Sequence, residues 1–116
     1  MYTFKLRHQF CAAHQLTNAY SEECNVSVHG HTFKILVQIQ VKELVGGMVV
    51  DFKKVKEVIN QLDHKNLNEI LDFEPTAENI TKYLYDKIHD IPHLSELALV
   101  EVTIWESDNA SITYSI

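Results

Sequence analysis

Two histidines one residue apart, in the stretch Val28-His29-Gly30-His31, are well suited to bind a metal. The residues that follow alternate between apolar and polar, which predicts a strand, and side chains at i and i+2 leave the same face of a strand. His29 and His31 would therefore stand side by side. A catalytic zinc site usually takes three protein ligands and leaves one position open. His14, at the end of an earlier strand-like segment, is the predicted third ligand. In the alternative interpretation, His29 and His31 are hydrogen-bonded turn residues and His14 packs in the core.

Three further groups could carry chemistry, and each has a plainer interpretation. Cys24 lies in a polar segment and could act as a base or nucleophile if its pKa is lowered, or it could be an inert thiol. Asp63 could orient the neighbouring His64, although a histidine also suits the C-terminal end of a helix. Glu106 ends an apolar strand, where its carboxylate could accept paired N–H donors from a flat heterocycle or simply be solvated.

Length and composition limit the possible classes of protein. The chain has 116 residues, of which 46% are hydrophobic and 22% charged, values typical of one soluble globular domain that spans residues 1–116. The formal net charge of −6 argues against a general affinity for nucleic acid. Two cysteines are too few for a disulfide framework, so we expect a cytoplasmic protein with free thiols. We expect no membrane segment and no signal peptide.

The periodicity of apolar residues predicts an α+β fold. Alternation predicts one strand over 2–10 that continues to His14, and a second over roughly 31–42. Residues 17–27 are predicted as a loop, Gly46-Gly47 as a turn and 48–52 as a third strand. Helical spacing predicts one helix from Phe52 to about Leu62 and a second that Pro75-Thr76 opens, with Thr76 as N-cap, and Pro92 ends. Two further strands are predicted over 97–106 and 110–116. The order suggests an antiparallel sheet with two helices on one face.

Several motifs together resemble the 6-pyruvoyl-tetrahydropterin synthase family, which includes the bacterial 6-carboxy-tetrahydropterin synthases of queuosine biosynthesis. The resemblance spans nearly the whole chain and keeps the motif order. Its motifs are Phe10-Cys11-Ala12-Ala13-His14, Cys24 followed by His29-Gly30-His31, Met48-Val49-Val50-Asp51-Phe52, Leu62-Asp63-His64-Lys65-Asn66-Leu67-Asn68, Pro75-Thr76-Ala77-Glu78-Asn79 and Glu106-Ser107-Asp108-Asn109.

The resemblance implies a tunnelling fold (T-fold), in which a four-stranded antiparallel sheet carries two helices on one side. It also implies a homohexamer built from two trimers, with active sites between subunits. On the family's pattern zinc is held by three histidines, a cysteine is the general base, and an Asp-His pair completes a proton relay that can serve a neighbouring subunit. Glu106 and Thr76 would bind the pterin substrate. The residues that match the metal and catalytic positions are His14, His29, His31, Cys24, Asp63 and His64.

The implied reaction converts 7,8-dihydroneopterin triphosphate to 6-carboxy-5,6,7,8-tetrahydropterin, acetaldehyde and triphosphate. The alternative is the pyruvoyl reaction, in which triphosphate leaves and the carbon side chain stays whole. Four residues separate Cys24 from His29, a spacing longer than in the carboxy type and shorter than in the pyruvoyl type. The compact size favours the carboxy type. Val26 stands where folate-linked relatives carry Glu, and Gln15 replaces the Arg common after the first zinc histidine.

Two non-enzymatic alternatives remain. One is a catalytically silent pterin-binding or purine-binding module of the same fold, against which the presence of Cys24 and His64 argues. The other is a structural domain with incidental histidines, which metal analysis of the purified protein would distinguish. The residues that bind triphosphate are not identified by the sequence.

Overall fold

The fold is built on a long antiparallel hairpin. A computed structural model describes residues 1–15 and 29–116. Strand β1 (Tyr2–His14) pairs with β2 (His29–Val41) from Tyr2 opposite Val41 to His14 opposite His29. Both strands alternate between buried and more exposed residues, as predicted for a sheet with one face on the core. The hairpin therefore brings the ends that carry the candidate metal ligands together.

The remaining strands extend the sheet on both sides of the hairpin. β4 (Leu99–Ser107) pairs antiparallel with β2, and β5 (Ala110–Ser115) pairs antiparallel with β4. On the other side, the two-residue strand β3 (Lys65–Asn66) pairs with β1 in parallel. The sheet order is β3-β1-β2-β4-β5. The sheet is thus a mixed one of five strands, one more than the four that the resemblance implies. Strand β3 was not predicted, because two residues carry no sequence pattern of their own.

The predicted third strand over 48–52 is wrong. Gly46 and Gly47 do form the predicted turn, with positive φ angles of 59° and 78°. Only an isolated bridge between Val45 and Met48 follows from it in the described segment. Asp51 instead caps the next helix, its side chain accepting the N–H of Lys53 at 3.0 Å. The cap ends the extended run, since an N-cap commits the following residues to helical geometry.

Three helices are present among the described residues. Helix α1 is Phe52–Asn60, α2 is the single turn Leu67–Ile70, and α3 is Ala77–His89. The N-cap prediction for Thr76 is confirmed, because its hydroxyl accepts the N–H of Asn79 at 3.1 Å. α3 ends at His89, before Pro92. No helix in the described ranges is both long and apolar enough to span a membrane.

One apolar core lies between the sheet and the helices. α1 and α3 bury their apolar faces against alternate residues of the central strands, so both lie on the same face of the sheet, as predicted. The core side of β1 and β2 runs through the stacked rings of Phe10 and Phe33, whose centroids are 4.9 Å apart. Beyond this pair the same face carries His31 and His14. The candidate site is therefore the polar end of the core.

Candidate active site

Three potential metal ligands converge at this end of the core. His14, His31 and Glu106 each offer one ligand atom, and the three atoms lie within 4.8 Å of one another. They belong to β1, β2 and β4, which are neighbours in the sheet. The His14 and His31 rings meet edge to face with centroids 5.0 Å apart. Two imidazoles and a carboxylate form a donor set that suits a divalent transition metal, including zinc.

The tautomer of His14 is fixed by the chain. His14 is 1% exposed, and its Nδ1 lies 2.7 Å from the carbonyl oxygen of Pro75. Because a carbonyl can only accept, Nδ1 carries the proton and Nε2 carries the lone pair that a metal would use. Metal-binding histidines commonly donate their other ring N–H in this way, which fixes the orientation of the ring. The carbonyl of Pro75 is a functional group that sequence reasoning missed.

The segment before α3 holds that carbonyl in place. Thr76 caps the helix through Asn79, and the side-chain amide of Asn79 also donates to the carbonyl of Glu74 at 2.9 Å. Residues on both sides of Pro75 are thus tied to the start of α3. The structure gives Thr76 a capping role, and its predicted contact with substrate stays a prediction.

The end of β1 is held by Asn68, a second residue that sequence reasoning missed. Its amide oxygen accepts the N–H of Gln15 at 2.7 Å, and its amide nitrogen donates to the carbonyl of Gln15 at 2.8 Å. The side chain thereby mimics a peptide of a neighbouring strand. It continues the pairing that β3 makes with Ala12 and Ala13. This clamp fixes the peptide that follows His14.

Replacing Asn68 by alanine is therefore expected to destabilise the fold. Two hydrogen bonds are lost at an exposed position, which corresponds to about 1–2 kcal/mol in the free energy of unfolding. Urea denaturation of the metal-free chain measures the change. Asn109→Ala, at an exposed position in the turn between β4 and β5, is the control. Equal stabilities for the two variants would contradict a structural role for Asn68.

Asp63 and His64 lie beside β1, where the main chain of Cys11 holds them. Asp63 Oδ1 accepts the N–H of Cys11 at 2.8 Å, and the N–H of His64 donates to the carbonyl of Cys11 at 2.6 Å. The other carboxylate oxygen of Asp63 is 3.5 Å from Nε2 of His64. That distance is longer than a normal hydrogen bond, and the His64 side chain is 81% exposed. The arrangement places a carboxylate beside an accessible imidazole.

The backbone of His64 is strained. Its φ angle is 57°, in the left-handed region that non-glycine residues rarely occupy. We expect His64→Gly to be more stable than His64→Ala by about 1 kcal/mol, because glycine adopts this conformation without a steric penalty. Both variants lack the imidazole and should lose the same activity. Thermal unfolding of the pair checks the stability difference, and a less stable glycine variant would refute the strain.

An open cleft joins the two groups. It has a volume of about 530 Å³, and His31 and His64 both line it, together with Gly30, Thr32 and Lys65. Among the described residues, no atom lies within 4 Å of a Cβ atom added at Gly30. The cleft therefore borders the ends of β1 and β2 that carry the candidate metal ligands, and His64 lies on its rim.

Two predicted site residues are described in part or not at all. The backbone of His29 pairs with His14 at the end of the hairpin, the position predicted for a ligand. Cys24, predicted as the general base, lies outside the described residues. Of the predicted site residues, the structure thus brings His14, His31 and Glu106 together and places Asp63 beside His64.

Comparison with known proteins gives a consistent result. Residues 3–116 match the family model described as 6-pyruvoyl tetrahydropterin synthase. The chain is 35% identical over 111 residues to the dihydroneopterin monophosphate aldolase of Pyrococcus furiosus, covering 91% of this chain and 90% of that protein. It is 37% identical over 83 residues to an Archaeoglobus fulgidus protein, covering 68% and 69% of the two chains. That protein's assignment as 6-carboxy-5,6,7,8-tetrahydropterin synthase is provisional.

The structure of the chain is also similar to that of a solved member of this family. The structure of Caenorhabditis elegans 6-pyruvoyl tetrahydropterin synthase superposes with a TM-score of 0.77 at 28% identity, covering 99% of this chain and 95% of that one. The T-fold prediction is therefore confirmed, with the additional short strand β3. The match to the family model covers almost the entire sequence and includes every residue of the candidate site. The chain belongs to the 6-pyruvoyl tetrahydropterin synthase family.

Proposed function

We propose that the chain is a zinc-dependent lyase acting on 7,8-dihydroneopterin triphosphate. Its products would be 6-carboxy-5,6,7,8-tetrahydropterin, acetaldehyde and triphosphate, with consumption of water. The observation that carries the proposal is the convergence of His14, His31 and Glu106 beside a cleft that His64 also lines. The provisional assignment of the Archaeoglobus fulgidus relative supports the choice of reaction.

Zinc would be held by His14, His31 and His29. His14 has the ring orientation and tautomer that such a role requires, since its Nδ1 donates to Pro75. His29 is opposite His14 in the hairpin, which supports its inclusion. When bound, zinc would act as a Lewis acid toward oxygen atoms of the substrate side chain and make the adjacent C–H and O–H bonds more acidic.

The remaining residues would move protons and orient the substrate. Cys24 would remove a proton from the substrate side chain as a thiolate, and His64 would exchange protons from the other side. Asp63 would orient His64, since its carboxylate lies beside the ring. The carboxylate of Glu106 would accept the paired N–H groups of the pterin ring, and Thr76 would contact the same ring.

Lys65 is a candidate for the phosphate contact that the sequence did not identify. It lines the cleft, beside His64 and next to the paired peptides of β1 and β3. An ammonium group there would offset part of the charge of a phosphate chain.

The assembly and cellular location are also proposals. We propose a homohexamer made of two trimers, in which Asp63 and His64 serve the Cys24 of a neighbouring subunit. The chain would act as a single domain over 1–116 in the cytoplasm, with no nucleic acid or membrane partner. The negative net charge of −6 is consistent with the absence of a nucleic-acid partner.

Two relatives of the chain support rival reactions. The Pyrococcus furiosus relative is a dihydroneopterin monophosphate aldolase, and its identity of 35% extends over 90% of its length. This favours aldol cleavage of a monophosphate as the second candidate. The similarity to the Caenorhabditis elegans 6-pyruvoyl tetrahydropterin synthase supports elimination of triphosphate without side-chain cleavage as the third candidate.

Parallel assays separate the three reactions. The zinc-loaded protein is incubated with 7,8-dihydroneopterin triphosphate and, separately, with the monophosphate. Acetaldehyde and triphosphate from the first substrate are the expected products. Triphosphate release without acetaldehyde would favour the pyruvoyl reaction, whereas a shortened pterin from the monophosphate alone would favour the aldolase. No product from either substrate would refute the proposed enzyme.

A further inference from the structure

Glu106 lies where a metal ligand would be, which its predicted role at the pterin ring does not explain. Its carboxylate oxygen is within 4.8 Å of a ligand nitrogen of both His14 and His31. A bound pterin whose side chain reaches the metal has its N–H edge at the opposite end of a bicyclic ring. One carboxylate position therefore cannot serve both the metal and that distant edge.

The strand geometry accounts for the position of Glu106. Ile104, two residues before it, is buried on the core side of β4, and the Glu106 carboxylate reaches the histidines that β1 and β2 carry on that side. Trp105 pairs with Ser111 and Ser107 pairs with Ala110, which makes Glu106 the extra residue of a bulge. Bulges often redirect a side chain near an active site. Glu106 also lies beyond the last paired residues of β2 and β4, Lys34 and Trp105.

The number of ligands at this site determines whether a bound zinc ion would have an open coordination position. Two histidines and a glutamate are a complete set of protein ligands for a catalytic zinc ion. If His29 also binds, as proposed, Glu106 completes four ligands and closes the site. Catalytic zinc needs an open position, so the carboxylate would have to leave before the substrate could reach the metal.

We infer that Glu106 is a metal ligand of the substrate-free enzyme and that the pterin ring draws it away. The carboxylate would exchange its bond to the metal for two hydrogen bonds from the pterin N–H groups, which opens a coordination position for the substrate side chain. The metal would then become accessible only when a molecule with the correct ring edge is bound. The inference rests on the proposed function for the identity of the ring, and on the geometry of His14, His31 and Glu106 for the ligand.

The first experiment measures metal affinity without turnover. Zinc and cobalt(II) affinities are determined by chelator competition for the full chain, Glu106→Gln and Glu101→Gln. The control removes the same charge from the same strand, at a residue that pairs with Gln38 and Ser115. Glu106→Gln is expected to bind metal at least about 10-fold more weakly than the wild type. This is the smallest loss of metal affinity that is typical when a residue supporting a ligand is removed, and loss of a ligand itself should cost no less. The control should match the wild type, and circular dichroism confirms that both variants fold. Equal affinities in all three proteins would overturn the inference.

The second experiment follows the cobalt(II) absorption spectrum as neopterin, an oxidised pterin that probes ring binding, is added. The spectrum of the wild type should change on addition, because one ligand is exchanged. Glu106→Gln should differ from the wild type before addition. A wild-type spectrum that neopterin leaves unchanged, although fluorescence shows binding, would overturn the exchange. A failure of the proposed lyase reaction with the affinity loss intact would instead reject the function and keep Glu106 as a ligand.

Discussion

Replacing His14 by alanine is expected to abolish metal binding and turnover together. His14 is almost fully buried, and the carbonyl of Pro75 fixes its Nε2 as the lone-pair nitrogen. Loss of this ligand should weaken metal affinity by more than about 100-fold, since loss of a supporting partner alone costs 10–100-fold. Chelator competition and product assays measure the two effects.

His8→Ala is the matched control for this variant. His8 lies on the same strand and contacts Asn60 at 2.8 Å, well away from the cluster of His14, His31 and Glu106. It should keep both metal and activity. If His14→Ala retained the metal affinity of the wild type, the assignment of the metal centre would be wrong.

Replacing Cys24 by alanine should separate the metal from the chemistry. Cys24 is proposed as the base and not as a ligand, so the variant should keep its full metal content. Loss of a general base typically lowers the rate by about 10²–10⁴-fold. Product assays and metal analysis of the same preparation test both parts.

Cys11→Ala is the control for loss of a thiol. Cys11 holds Asp63 and His64 through its main chain, which the substitution leaves in place. Its side chain lies 3.5 Å from the hydroxyl of Thr32 and has no proposed catalytic role. Unchanged turnover in Cys24→Ala would remove Cys24 from the mechanism.

The sequence predicted the parts of the site that depend on local pattern. Alternation predicted that His31 lies on a strand and that His14 ends an earlier strand, and the pairing of β1 with β2 confirms that these two strand ends meet. Thr76 was correctly predicted as an N-cap because capping depends on the residue type and its position just before the helix. The core faces of the two main helices followed from their spacing in the same way.

The remaining features depend on contacts between segments that are distant in sequence. Lys65 pairs with Ala12, a residue far from it in the sequence. A strand of two residues is also too short to show an alternating pattern. The segment 48–52 has the composition of a strand, but Asp51 begins a helix there. The approach of Glu106 to the histidines depends on the register of β4 and on its bulge, which the residue order alone does not specify.

A zinc-dependent lyase must lose turnover when its metal is removed and regain it when zinc is restored. The protein is stripped of metal with a chelator, divided, and assayed with 7,8-dihydroneopterin triphosphate before and after zinc is restored. If the proposed metal centre carries the reaction, triphosphate is released and the pterin side chain is converted only in the zinc-restored sample. Equal product formation by the stripped and the restored protein would contradict it.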